Sequence, residues 1–218
     1  MLDLGQAIVA VGGLGTAAFG LVDATKPLTG INHLGFSGVR KAVGQLMPGN
    51  DAENALSHSK IIATLQANWM NGTDLGSQKA IAKSLIKLNL SQQNATDVAI
   101  AAGIDPAVLT SIARKIASGE TLTASESDVF GRFDLIVTAL LDEAYQRADQ
   151  TYRNGTRILA MVFSVVLALA GALSLGALAA EWGQALVVGL LATPLAPIAK
   201  DASTALATAV NALQAVKK

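Results

Sequence analysis

The chain contains no cysteine. That excludes disulfides, thiolate nucleophiles and cysteine-held metals, and it leaves the compartment open. Only two histidines are present, His33 and His58, so imidazole chemistry has little to draw on. Charged residues make up 15% of the chain, against about a quarter in ordinary soluble domains. The charges sum to zero, which provides no bulk attraction to nucleic acid or to anionic lipid. Aromatics are also scarce, at 4%. Hydrophobic residues nonetheless reach 51% and mean hydropathy is +0.45, so the excess is aliphatic. Such a chain is helical and partly immersed in lipid.

Three segments have the length and composition of membrane spans. Leu4 to Val22 and Ile158 to Ala180 carry no charge, and Gly183 to Ala199 is a shorter third. The first is near the roughly 20 residues that a bilayer core requires, the second is the clearest span, and the third is at the short end. Glu181 and Trp182 separate the last two, which predicts a helical hairpin turning there, with Trp182 at the membrane–water interface. Asp3 stands where a signal peptide would carry basic residues, so the first segment reads as a span.

The first span contains Gly13-Leu14-Gly15-Thr16-Ala17-Ala18, the G-x-G-x-x-A spacing of a dinucleotide-binding loop. That loop needs a second parallel strand with an acidic residue about 20 positions on. The following segment, LTGINHLGFSGVRKAVGQLMPG, has no β-branched run that ends in Asp or Glu. As a membrane helix the same residues make sense. Gly12, Thr16 and Gly20 are four apart, as are Gly13 and Ala17. This small-xxx-small spacing predicts a helix-packing or oligomer interface, either within the chain's own bundle or between copies.

Lys26, Arg40 and Lys41 follow the first span, Arg147, Arg153 and Arg157 precede the second, and Lys200, Lys217 and Lys218 follow the third. Neither Lys nor Arg lies before the first span or between the other two. The positive-inside rule then puts the N-terminus outside and the long loop and C-terminus in the cytoplasm, in an inner membrane. Arg40, Lys41, Arg157, Trp182 and Lys200 are the expected interfacial anchors. Four N-x-S/T sequons, at Asn71, Asn89, Asn94 and Asn154, are incidental under this topology.

The expected domains are a first span over 1–27, a cytoplasmic helical domain over 28–156, a transmembrane hairpin over 157–199 and an amphipathic C-terminal helix over 200–218. Pro27 and Gly30 should break the first helix. Phe36, Val39, Val43 and Leu46 form one face of a short helix, either on the membrane surface or against the domain. An Asn50–Glu53 capping box predicts a helix to about Trp69, with Ile61, Ile62, Leu65 and Trp69 inward. Asn71-Gly72 is a turn. Ser77 to Leu88 reads as a helix burying Ile81, Leu85 and Leu88. Further helices span Asn94 to Ala102 and, from the Asp105-Pro106 start, on to Ser118. The capping box Thr123-Ala-Ser-Glu126 opens a long helix whose inward positions are Val129, Phe133, Ile136, Leu140, Ala144, Ala148 and Thr151. No proline occurs before Pro194, so this helix should run into the second span as a rod of roughly 85 Å, weakest at Asn154-Gly155.

Residues Ala95 to Ile112, ATDVAIAAGIDPAVLTSI, resemble the helix-turn-helix of bacterial repressors, with Ala99 at the inter-helix contact and Gly103 at the turn. The resemblance covers less than a tenth of the chain. The second helix offers only Arg114 and Lys115 to phosphates, and both sit at the wrong end for base reading, so no nucleic-acid partner is expected. The segment also fits an ordinary helix-packing unit. Enzyme chemistry has no H-x-x-x-H, E-x-x-H, P-loop or nucleophile-elbow pattern to rest on, and no cofactor or metal is expected. No span has an internal charge, which disfavours a coupled transporter. Pro194 and Pro197 should hinge or end the third span. In the tail beyond it, Leu206, Val210, Leu213 and Val216 share a face.

These readings combine into an all-α membrane protein with three transmembrane helices and a cytoplasmic helical bundle between the first and second. The expected function is a non-enzymatic, self-associating membrane anchor or assembly subunit, with the bilayer and further copies as partners. The alternative is a homo-oligomeric channel or pore-forming effector gated by the cytoplasmic domain.

Overall fold

The computed structural model describes residues 4–48 and 57–216. It is all-helical, with no strand among the described residues, and three of its helices are long and apolar enough to cross a membrane. The helices are α1 (Leu4–Thr29), α2 (Phe36–Leu46), α3 (His58–Met70), α4 (Leu75–Asn89), α5 (Ala95–Ala102), α6 (Pro106–Ser118), α7 (Ala124–Ser174) and α8 (Leu178–Val216). A single 3-10 turn, Ile31–His33, lies between α1 and α2. Contacts divide the chain into two units, residues 1–32 with 153–218, and residues 33–152.

Residues 33–152 form a helical domain whose core joins α2 to α6 with the first half of α7. Phe36, Val39, Val43 and Leu46 are all buried in it, so α2 packs into the domain instead of offering this face to a membrane. Helix ends follow local chemistry. Asp74 caps α4 by accepting from the Ser77 N–H at 2.9 Å, which moves the expected start at Ser77 back to Leu75. Asp105 caps α6 through the Ala107 N–H at 2.8 Å, with Pro106 in the first turn. The Thr123–Glu126 box is reciprocal: the Glu126 N–H donates to Thr123 Oγ1, and the Thr123 N–H donates to Glu126. The predicted Asn50–Glu53 box lies outside the described residues.

The expected inward faces hold in part in two helices. In α4 Ile81 and Leu85 pack against the core, but the buried residues are Gln78, Ala82 and Ile86, and Leu88 is exposed. In α7 Phe133, Ala144 and Ala148 are buried as expected, joined by Val137, Leu141 and Tyr145, with Ile136 and Leu140 packed against them and Thr151 exposed. Both helices meet several neighbours at once, and the stripe facing all of them is not the most apolar arc of the isolated sequence. Trp69 is half-buried and touches Phe36, Tyr145 and Tyr152, with ring centroids 6.2 to 6.5 Å apart.

The other unit is a bundle of α1, the last part of α7, and α8. α1 does not break at Pro27, which sits inside its last turn; it ends at Gly30, whose φ of +64° suits glycine. The hairpin turn falls at Leu175–Ala177, ahead of the expected Glu181–Trp182. Gly176 takes a φ of +70°, and the Ala177 N–H reaches back to Ala172 O at 3.0 Å, closing a glycine C-cap. Glu181 falls instead within α8, at a local non-helical kink with φ −123°. Pro194 and Pro197 lie inside α8 without interrupting it, so the third span and the C-terminal helix are one element. The side chains beyond Ile198 lie outside the description, including Lys200 and the tail's apolar face.

Candidate functional site

The most telling surface is α1. From Ala7 onward its buried residues are Gly12, Gly15, Ala18 and Val22, spaced three, three and four apart. Positions strictly four apart drift about 40° around a helix at each step, whereas mixed three-and-four spacing stays on one stripe. That is why the predicted set Gly12, Thr16 and Gly20 is not one face. Gly12 is buried in the bundle, while Gly13, Thr16, Ala17 and Gly20 are exposed. The sequence reading missed Gly15, the residue of closest approach. A Cβ placed there would lie 2.1 Å from the backbone oxygen of Ala192. Gly189 does the same for the hairpin, where a Cβ would meet Val165 Cα at 2.6 Å. The small-residue spacing that flagged α1 is repeated in α8 by Gly189, Ala192 and Ala196, and that repeat was the available signal.

Small residues let these backbones meet. Ala18, Val22 and Ala160 form the buried seam between α1 and α7. One polar pair joins α7 to α8: Ser164 Oγ and Thr193 Oγ1 are 3.1 Å apart, and both residues are buried. One hydroxyl donates to the other, a bond that matters where lipid offers no water.

The outward surface of the bundle is of two kinds. On α7 and α8 it is large and aliphatic, with Ile158, Val162, Val166, Val187, Leu190 and Leu191 all exposed. On α1, Ala10, Gly13, Ala17, Gly20 and Ala24 are exposed, with Val9 and Leu21 exposed beside them. The small residues alternate three and four apart, an unbroken heptad seam. A Cβ at Gly13 or Gly20 would meet nothing within 4 Å. Thr16 beside this seam returns its hydroxyl to Gly12 O at 3.0 Å, so it presents its methyl outward.

Of the predicted anchors, Arg40 and Lys41 are exposed on the helical domain, and Arg157 and Trp182 are exposed on the bundle. Arg40 donates to Gln66 Oε1 at 3.2 Å and lies over the Phe36 ring. Gln66 also reaches His33 Nδ1 at 3.3 Å.

In the helical domain the charges are largely spent on one another. Lys79 pairs with Asp142 at 2.5 Å, and Lys83 and Lys87 grip Asp134 at 3.1 and 2.9 Å, tying α4 to α7. Lys87 foremost, then Lys83, holds the Asp134 carboxyl below the usual range. Lys115 and the Thr123 N–H take Glu126 down to about 2. The two basic residues of α6 are therefore committed, Arg114 to Glu120 and Lys115 to Glu126. In the segment that resembles a helix-turn-helix, α5 and α6 pack on each other, Ala99 is fully buried and Gly103 is left-handed at φ +65°. Among the described residues no group of histidine and carboxylate side chains could hold a metal. The grooves are shallow; one of about 290 Å³ lies between α2 and α7, lined by Lys41, Gln45, Leu140 and Arg147.

No family model, curated protein or solved structure matches this chain.

Proposed function

We propose that the chain is a non-enzymatic integral-membrane anchor. It self-associates through the outer seam of α1 and holds its helical domain at the membrane as an assembly platform. The observation that carries this reading is the contrast on the bundle surface. Lipid-facing helices present large aliphatic side chains, as α7 and α8 do, whereas the Ala10–Gly13–Ala17–Gly20–Ala24 seam has the composition of a helix–helix contact. The basic residues at the span ends favour a cytoplasmic domain and C-terminus in an inner membrane. The charge pairing of the domain favours a structural part over a catalytic one.

The test is the mass of the purified protein in detergent. Wild type should run as a multiple of one chain, and Gly13→Leu with Gly20→Leu should return it to one chain. The control Val162→Leu, on the aliphatic face of α7, should leave the assembly intact. A wild-type mass of one chain refutes self-association. Orientation is read by adding a single cysteine at Ser118 to this cysteine-free chain. An impermeant maleimide should label it only from the cytoplasmic side. The pore alternative has less support, because Ser164 and Thr193 consume each other inside the bundle and the seam is apolar. Ion leakage from liposomes carrying the wild type, lost in the double leucine variant, would favour the pore.

A further inference from the structure

The chain has two Asn-Gly pairs, Asn71-Gly72 and Asn154-Gly155, and the fold places them in opposite settings. We propose that Asn71 is a site of spontaneous succinimide formation, through which the turn between α3 and α4 acquires a carboxylate and a rerouted backbone, while Asn154 is protected.

The chemistry is intramolecular. The Gly72 amide nitrogen gives its proton to hydroxide and attacks Cγ of Asn71. The Cγ–N bond breaks, and the side-chain nitrogen leaves as ammonia with a proton from water. Water then opens the five-membered imide at either carbonyl. One product is aspartate; the other is isoaspartate, with the backbone routed through the β-carbon. No oxidant or reductant takes part. Glycine in the second position removes the Cβ that would hinder ring closure.

Three observations make Asn71 the reactive pair. Asn71 and Gly72 are both exposed, and no hydrogen bond ties the Asn71 side chain among the described residues. Gly72 has a φ of +70° with nothing within 4 Å of a hypothetical Cβ. The turn therefore demands glycine, and in doing so it keeps the reactive pair in place. The attacking nitrogen is held by only one bond, Gly72 N–H to Trp69 O at 3.2 Å, in a turn just past the end of α3. Asn154 and Gly155 lie inside the continuous helix α7. Ring closure there requires opening a helix interior, whereas at Asn71, the αR residue that ends α3, it requires release of only the Gly72–Trp69 bond.

The product changes the turn in two ways. Asn71 caps the C-terminus of α3, where the helix's unpaired carbonyls already carry negative partial charge, so a new carboxylate is repelled. The isoaspartyl linkage lengthens the backbone inside the loop that the Thr73 N–H closes onto Asn68 O at 3.1 Å. Trp69, two residues upstream, is placed to report the change.

The experiment incubates the full chain in detergent at mildly alkaline pH and follows each peptide by mass. Conversion should appear first at Asn71 and exceed that at Asn154 by more than about tenfold, since each ~1.4 kcal/mol of opening cost slows a reaction that far. Trp69 emission, isolated in a Trp182→Phe background, should change with the same time course. Asn71→Gln should abolish both signals. A synthetic peptide of residues 68–74 sets the unconstrained rate. The proposal is overturned if Asn154 converts as fast as Asn71, or if Asn71 stays intact for the time in which the peptide converts fully.

Discussion

Adding one methyl group at Gly15 and one at Gly20 should have opposite consequences, and the difference is computable. At Gly15 the new Cβ would sit 2.1 Å from the Ala192 carbonyl oxygen and 3.0 Å from Ala196 Cβ. Ordinary contact begins near 3.4 Å, so α1 and α8 must separate by about 1.3 Å locally, being unable to rotate a backbone carbonyl away. Overpacking costs roughly 1–3 kcal/mol, and a clash with backbone atoms, which cannot rotate away, falls in the upper part of that range, about 2–3 kcal/mol. The gain in helix propensity from Gly to Ala, at most about 1 kcal/mol, offsets part of it. Gly15→Ala is therefore expected to destabilise the bundle by about 1–2 kcal/mol, which denaturing-detergent titration followed by Trp182 emission would resolve. Gly20→Ala meets nothing within the chain. In a dispersed single chain it should be neutral or stabilising by up to about 1 kcal/mol. In the associated state it should weaken assembly, because the added methyl holds the seams apart. The same substitution thus has opposite signs in the two states, separated by protein concentration. A destabilising effect of Gly20→Ala in the dispersed chain, or a neutral Gly15→Ala, would refute the assignment of faces on α1.

Three other outcomes follow from the geometry. Tyr145 is fully buried, its hydroxyl has no hydrogen-bond partner among the described residues, and burial pushes its phenol up to about 12. Tyr145→Phe should leave the helical domain as stable or raise its stability by up to about 1 kcal/mol in urea unfolding, and a loss above that would reveal a bond to the hydroxyl. Glu126 sits near 2 in the fold against an ordinary 4.5, so its contribution is present above 4.5 and lost as pH falls from there through about 2. Glu126→Gln should lower stability at neutral pH and flatten that acid limb, read by helical ellipticity against pH; an unchanged limb would exclude Glu126 as its source. The Ser164–Thr193 pair should show a coupling of about 0.6 kcal/mol, and below about 1.7, in a double-mutant cycle with Ser164→Ala and Thr193→Val. A coupling of zero would mean that the two hydroxyls do not bond to each other.

Much of this protein was legible from one-dimensional pattern, because the forces responsible are local. Apolar length defined three candidate spans. Asp105-Pro106 and the Thr123–Glu126 box fixed helix starts because caps are made by residues three or fewer positions away. Gly103 marked a helix end because its φ is positive whatever surrounds it. The face of α2 was also readable, since a short helix with four apolar residues has only one way to bury them.

What the sequence left open depended on partners distant in the chain. Proline and charge were read as punctuation, yet α8 passes through Pro194 and Pro197, and the hairpin turns at Gly176. A lost backbone bond is tolerated where packing holds the helix on both sides of it. In α1, glycines at 12, 13, 15 and 20 look alike in sequence. Only the position of Ala192 makes Gly15 indispensable to the chain's own bundle and leaves Gly13 and Gly20 facing outward. Composition determined that this helix carries small faces. Which face the chain keeps for itself was decided by where α8 lies, because close backbone contact is a property of two helices and not of one.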